Sequence, residues 1–206
     1  MGKVITIAQQ KGGSGKTTLA VNLAVAFARM GHNVALLDTD PQGSLGRWFM
    51  ARRERLGDPG MELSTASAWG VSYECEKLRK INDFVIVDTP PKVDADLRPA
   101  LREADLILIP VAASHVDLWA VEGVLDLAER ERKRATIVLN RTKAGTRLAE
   151  EVAAAAALST SVAGSRLGQR VVFAETLGNG MGAQEPGKSA ASAEVQALAD
   201  EILALL

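Results

Sequence analysis

Two kinds of apolar segment alternate along this chain. Short continuous runs at 4–8, 33–37, 84–87, 106–110 and 135–139 are rich in Val, Ile and Leu. They have strand length and are apolar at consecutive positions, as in strands covered on both faces. Between them, apolar residues recur every three or four positions. That spacing predicts helices over 17–30, 44–55, 74–81, 96–104, 117–133, 147–158 and 190–206. In the first, Leu19, Val21, Leu23, Ala24, Phe27 and Met30 give a wide buried face, and Gly31 stands where a helix end takes positive φ. The glycine-rich stretch 178–187 reads as a mobile loop. Strands alternating with helices predict an α/β fold, a mostly parallel twisted sheet with helices on both faces and right-handed crossovers. No repeat or low-complexity linker interrupts the pattern, so residues 1–206 are predicted to form a single domain.

Charge and cysteine content then narrow the partners. A formal net charge of -1 gives no global basic field, so any contact with a polyanion must come from local clusters. A single cysteine, Cys75, excludes an intrachain disulfide and a multi-cysteine metal site, and it suits a reducing cytoplasm. The sequence shows no secretory leader and no apolar run of membrane-spanning length.

The most informative polar segment, Lys11-Gly12-Gly13-Ser14-Gly15-Lys16-Thr17-Thr18, lies between the first strand and the first helix. Glycines there let backbone N–H groups turn toward phosphate oxygens, and the helix start adds unpaired donors and its dipole. Lys16 supplies charge to the β- and γ-phosphates, and the Thr17 hydroxyl is placed for Mg²⁺. The general pattern G-x-x-x-x-G-K-[ST] fails at its first glycine, where Gln10 stands, and a second lysine, Lys11, follows it.

Two acidic motifs sit at strand C-terminal ends, the sheet edge where α/β folds place ligands. Asp38-Thr39-Asp40-Pro41-Gln42 follows the second strand, and Asp88 follows Phe84-Val85-Ile86-Val87. Asp88 looks like a Walker B aspartate serving Mg²⁺, Asp38 supports the same metal shell, and Asp40 is the candidate to orient the attacking water. A sparse oxygen set of this kind suits Mg²⁺, which keeps several waters. Thr89-Pro90-Pro91 reads as a stiff switch loop that senses the γ-phosphate.

Together these blocks resemble the ParA/MinD family of deviant Walker A P-loop ATPases, and most of all its short ParA-type plasmid partition members. The residues that carry the resemblance are Gln10 to Thr18, Asp38 to Gln42, Val85 to Pro91 and Val138-Leu139-Asn140-Arg141. It implies that Asn140 reads adenine and that Lys11 reaches across a two-fold axis to a partner's nucleotide. ATP then holds a sandwich dimer together, and hydrolysis releases it. The expected cofactors are ATP and Mg²⁺, bound by Gly12, Gly13, Ser14, Gly15, Lys16, Thr17 and Thr18.

The resemblance also implies non-specific DNA binding on the nucleoid and a ParB-like or cargo adaptor protein that stimulates hydrolysis, to segregate or position a plasmid, a chromosome region or a protein cargo. Arg166 and Arg170 are the expected DNA contacts, in the C-terminal region where the family's basic residues lie. Membrane cycling of the MinD kind is the alternative, but residues 194–206 carry no basic residue to meet an anionic leaflet, so no stable membrane binding is expected. A dethiobiotin-synthetase-like ligase is the other alternative, and the Asp-Pro-Gln block argues against it. His32 and His115 lack partners in motif spacing and read as loop or packing residues.

Overall fold

A computed structural model describes residues 1–91 and 97–206. Among them, the strands β1 (Lys3–Ile7), β2 (Val34–Asp38), β3 (Glu62–Thr65), β4 (Phe84–Asp88), β5 (Leu106–Ala112), β6 (Ala135–Asn140) and β7 (Ser161–Val162) form one sheet. Its order is β3-β2-β4-β1-β5-β6-β7 and every pairing is parallel. The helices are α1 (Lys16–Arg29), α2 (Ser44–Leu56), α3 (Gly70–Leu78), α4 (Leu97–Glu103), α5 (His115–Trp119), α6 (Glu122–Arg130), α7 (Arg147–Ala157), α8 (Val171–Gly178) and α9 (Ala190–Leu205). The α/β expectation therefore stands, with a fully parallel sheet.

Strand order explains where a ligand can sit. β1 lies between β4 and β5, and the chain builds β2, β3 and β4 on one side before crossing to β5, β6 and β7 on the other. The order reverses at β1, which opens a crevice at its C-terminal end. The glycine-rich segment leaves β1 into that crevice.

Helix α1 is buried along nearly its whole length, from Leu19 to Phe27. An all-round apolar helix needs cover on every side. The sheet covers one side, and α8 and α9 cover the other through Phe173, Val195, Leu198 and Ile202 in the same cluster. The helix ends in a Schellman turn, with Gly31 at φ 92°, His32 N–H donating to Phe27 O and Gly31 N–H to Ala28 O. On the opposite face, two clusters pack α3, α4, α6 and α7 against the strands. Cys75 is fully buried in one of them, and burial pushes its thiol up to about 12, so it is an inert core side chain. His32 packs edge-on to Phe27 and Phe84, as a packing residue would.

Several expectations need correction. The helix over 74–81 runs instead from Gly70 to Leu78. The helix over 117–133 is two helices, α5 and α6, broken at Ala120–Val121. The start at Asp96 lies outside the described residues. β3, β7 and α8 were not predicted: β3 is a four-residue edge strand reading Glu-Leu-Ser-Thr, and β7 has two residues, so neither has an apolar run to betray it. The stretch 178–187 is not a free loop at its centre. Gly180 and 182–184 are buried, the Trp48 indole donates to Met181 O, and Asn22 Oδ1 accepts from Ala183 N–H.

Candidate functional site

The phosphate loop owes its shape to two left-handed glycines, Gly13 at φ 75° and Gly15 at φ 92°. Gly15 is fixed by space as well, because a Cβ there would lie 2.3 Å from Asn140 Nδ2. It caps α1 without a side-chain hydrogen bond, and the first turn of α1 holds no acid. Among the described residues, none of the N–H groups from Gly12 to Thr18 donates to another backbone group. A helix start left open in this way is an anion site. Ser14 Oγ, buried beside it, has no partner either.

Lys16 opens α1 and is 7 % exposed. Burial lowers its pKa, while Asp88 and Asp40 pull it back upward. A buried ammonium facing an open N–H cradle lacks only a polyanion to offset its desolvation. Next to it, Thr17 Oγ1 donates to Asp88 Oδ2 at 2.6 Å. Asp88 is 1 % exposed and its Oδ1 has no partner. Burial pushes its carboxyl up to about 7, with Thr17 and Lys16 opposing and Asp38 and Asp40 adding to the rise. An orphaned buried carboxylate oxygen beside a hydroxyl, with no nitrogen or sulfur donor, fits a hard cation such as Mg²⁺. Thr17 and Asp88 would hold it.

Asp38, expected to support the metal shell, also fixes a turn. It lies beside Asp88 in the sheet register, but Oδ1 accepts Asp40 N–H and Oδ2 accepts Gly46 N–H, both at 3.0 Å. Both oxygens thus clasp the turn that opens α2, and burial raises its pKa. Asp40 stands at that turn, accepts from Gln42 N–H at 2.9 Å and lines the same cavity as Gly12, Gly13, Gly15, Lys16, Thr17 and Thr18. The cavity, about 280 Å³, is also lined by Ser44, Pro91, Arg141 and Leu177. Thr39 and Thr89 fasten its floor, Thr39 Oγ1 to Asp88 O and Thr89 Oγ1 to Ile7 O.

Asn140 donates from Nδ2 to Ser14 O at 3.0 Å and accepts Arg141 N–H on Oδ1 at 2.8 Å. It therefore braces the phosphate loop, and its amide keeps one hydrogen for an acceptor such as a base nitrogen. Lys11 pairs with Asp117 of α5 at 2.9 Å while staying 41 % exposed. Arg166 and Arg170 lie apart from this cavity, paired with Glu150 at 2.6 Å and Glu194 at 2.5 Å. Sequence reasoning gave no role to Asp117, Arg141 or Leu177. Asp117 lies inside α5, five residues past β5, so it lacks the strand-end placement that marked Asp38 and Asp88. Leu177 carried no such signal, because its helix was unpredicted.

The CobQ/CobB/MinD/ParA nucleotide binding domain family matches residues 5–183. Maintenance of carboxysome distribution protein A from Halothiobacillus neapolitanus is 34 % identical over 145 residues, which is 68 % of this chain and 66 % of the relative. Chromosome-partitioning ATPase Soj from Thermus thermophilus is 35 % identical over 154 residues, 62 % of each chain. Both alignments span just under two thirds of the relative's own length. In three dimensions, the ATP complex of a McdA protein from Cyanothece superposes with a TM-score of 0.81 at 17 % identity, covering 99 % of this chain and 96 % of the other.

Proposed function

This chain belongs to the CobQ/CobB/MinD/ParA nucleotide-binding family, and from that premise we propose that it is a ParA-type ATPase whose bound ATP, with Mg²⁺, joins two copies for positioning or partition work. The observation that carries the reading is the open cradle of 12–18, with the buried Lys16 lining the same cavity and, among the described residues, no carboxylate in ion-pair contact with it.

The chemistry follows from the residues. The cradle N–H groups and Lys16 take the phosphate oxygens, as preorganised donors that need no reorganisation when the phosphate arrives. Mg²⁺, when bound at Thr17 and Asp88, neutralises phosphate charge. Asp40 lines the cavity at the loop that Asp38 fixes, so its carboxylate orients the attacking water. Thr89 ties the switch loop to β1, which lets departure of the γ-phosphate be felt at the surface. Lys11 is half-exposed but its partner Asp117 is buried, so when Lys11 turns to a partner's nucleotide, the phosphate contacts must offset the cost of leaving that carboxylate unpaired.

Non-specific DNA is the proposed track and an adaptor protein the proposed stimulator. The likeness to proteins named for carboxysome distribution and chromosome partitioning supports the positioning or partition work that both would serve. Arg166 and Arg170 remain the proposed DNA contacts, and their exposed ion pairs would have to open to meet phosphate. Against membrane cycling stands the lack of basic residues in α9, which leaves no cation to meet an anionic leaflet. The test is phosphate release by the purified chain with Mg-ATP, with and without duplex DNA and with anionic vesicles. DNA-dependent turnover is expected; vesicle-dependent turnover, or none, contradicts the reading.

A further inference from the structure

Three consecutive side chains tie the approach to the phosphate loop onto one stretch of chain, from β5 to α6. Gln9 Nε2 donates to Pro110 O of β5 at 3.4 Å, and Gln9 Oε1 accepts Gln10 N–H at 2.8 Å. Lys11 pairs with Asp117 of α5 at 2.9 Å. Between them, the Gln10 side chain lies against α6 at its second residue, Gly123. A Cβ at Gly123 would stand 1.8 Å from Gln10 Nε2 and 3.1 Å from Cδ.

Backbone conformation does not call for glycine at 123, which is not among the positive-φ residues. Glycine also weakens a helix relative to alanine. The close approach of Gln10 supplies the reason. Position 10 is also where the general phosphate-loop pattern has glycine, so this chain carries a side chain at 10 and an empty notch at 123. We propose that Gly123 is a positioning residue for the phosphate loop. Its notch seats Gln10, and the seated Gln10 fixes the path of the backbone from β1 into Gly12 and Gly13 and the point from which Lys11 departs. The inference rests on the nucleotide-binding reading above. Phosphate cradles are sensitive to displacements of an ångström or less, which is why their supports matter.

The test is a double-mutant cycle on the full chain, read by the Kd of a fluorescent ATP analogue with Mg²⁺ and by the melting midpoint. Gly123→Ala meets only the flexible end of Gln10, so it turns that amide out of the notch at little cost in stability and is expected to raise Kd on the order of fivefold by unseating it. Its melting midpoint should equal or exceed the wild type, because alanine suits the helix. Gln10→Ala should weaken binding comparably, and adding Gly123→Ala to it should change Kd no further, since the clash is gone. Wild-type affinity in Gly123→Ala overturns the proposal, and so do penalties that add in the double variant. Should Gly123→Ala fail to fold, the double variant is expected to fold and bind like Gln10→Ala; its failure also overturns the proposal. A wild type that does not bind the analogue contradicts the nucleotide reading itself, whereas additive penalties on normal wild-type binding contradict only the role of Gly123.

Discussion

The phosphate-loop edge and the rim that α2 shares with 180–185 both bury charge, but they dispose of it differently. At the rim, Arg52 is 8 % exposed in its side chain and Glu185 13 %, and they meet at 2.9 Å. Arg52 also donates to Pro59 O and Gly180 O, and Glu185 accepts from Arg55 and Gly182 N–H. The charges there are consumed by structure. At the loop edge, Lys16 and Asp88 are as deeply buried, yet the N–H groups of 12–18, Ser14 Oγ and Asp88 Oδ1 have no partner among the described residues. Satisfied burial marks scaffold, and unsatisfied burial marks places reserved for a ligand.

Removing a partner at each place should expose that contrast. Arg52→Ala leaves Glu185 with only Arg55 and Gly182 N–H and is expected to cost about 1–3 kcal/mol in urea unfolding, with nucleotide affinity changed less than stability. A loss below about 1 kcal/mol would show that the rim is not fastened by this pair. Lys16→Ala should do the reverse: hydrolysis falls roughly 100- to 1,000-fold, by analogy with losing one preorganised donor. The melting midpoint of the nucleotide-free protein stays level or rises, because the desolvation of buried Lys16 outweighs the pull of Asp88 and Asp40.

Asp88→Asn sharpens the comparison through pH. The carboxyl titrates near 7 in the fold against about 4 when unfolded. The folded state then holds a proton that the unfolded state has released, so its contribution to stability is complete below about pH 4 and drains away as pH climbs to 7. Asp88→Asn should therefore melt several degrees above wild type at pH 8 and close to it at pH 4 to 5, in nucleotide-free protein. A difference independent of pH would contradict the buried-proton account. The smallest effect is expected at Arg166 and Arg170. Replacing each by Ala should leave the melting midpoint nearly unchanged, as loss of exposed pairs does. If they touch DNA, the slope of log K against log salt should shrink by about 0.9 for each phosphate left unneutralised. An unchanged slope removes them from the DNA surface.

The contrast also shows why some of the molecule was legible in sequence. A glycine-rich loop must sit within a few residues of its strand and helix, so Gly13, Gly15, Lys16 and Thr17 announce themselves locally. Asp38 and Asp88 are readable because strand ends are readable. What Asp38 does was not, since clasping Gly46 N–H depends on how the turn folds back. At the rim, the partners lie far apart: Trp48 and Met181, Arg52 and Glu185, and Asn22 and Ala183 are 133, 133 and 161 residues apart. No local pattern records such pairings, and glycine content alone made 178–187 look free. The break between α5 and α6 was hidden likewise. Its helical periodicity is continuous, and only tertiary anchors such as Lys11–Asp117 reveal that the chain turns there.

Sedimentation of the purified chain with Mg²⁺ and a slowly hydrolysed ATP analogue tests the central claim most directly, set beside the same measurement with ADP and with Lys11→Ala. The account predicts the mass of two chains with the ATP analogue, and one chain with ADP or in the Lys11→Ala variant. A wild type that takes up the analogue and still sediments as a single chain, or a Lys11→Ala variant that pairs as well as the wild type, would contradict it.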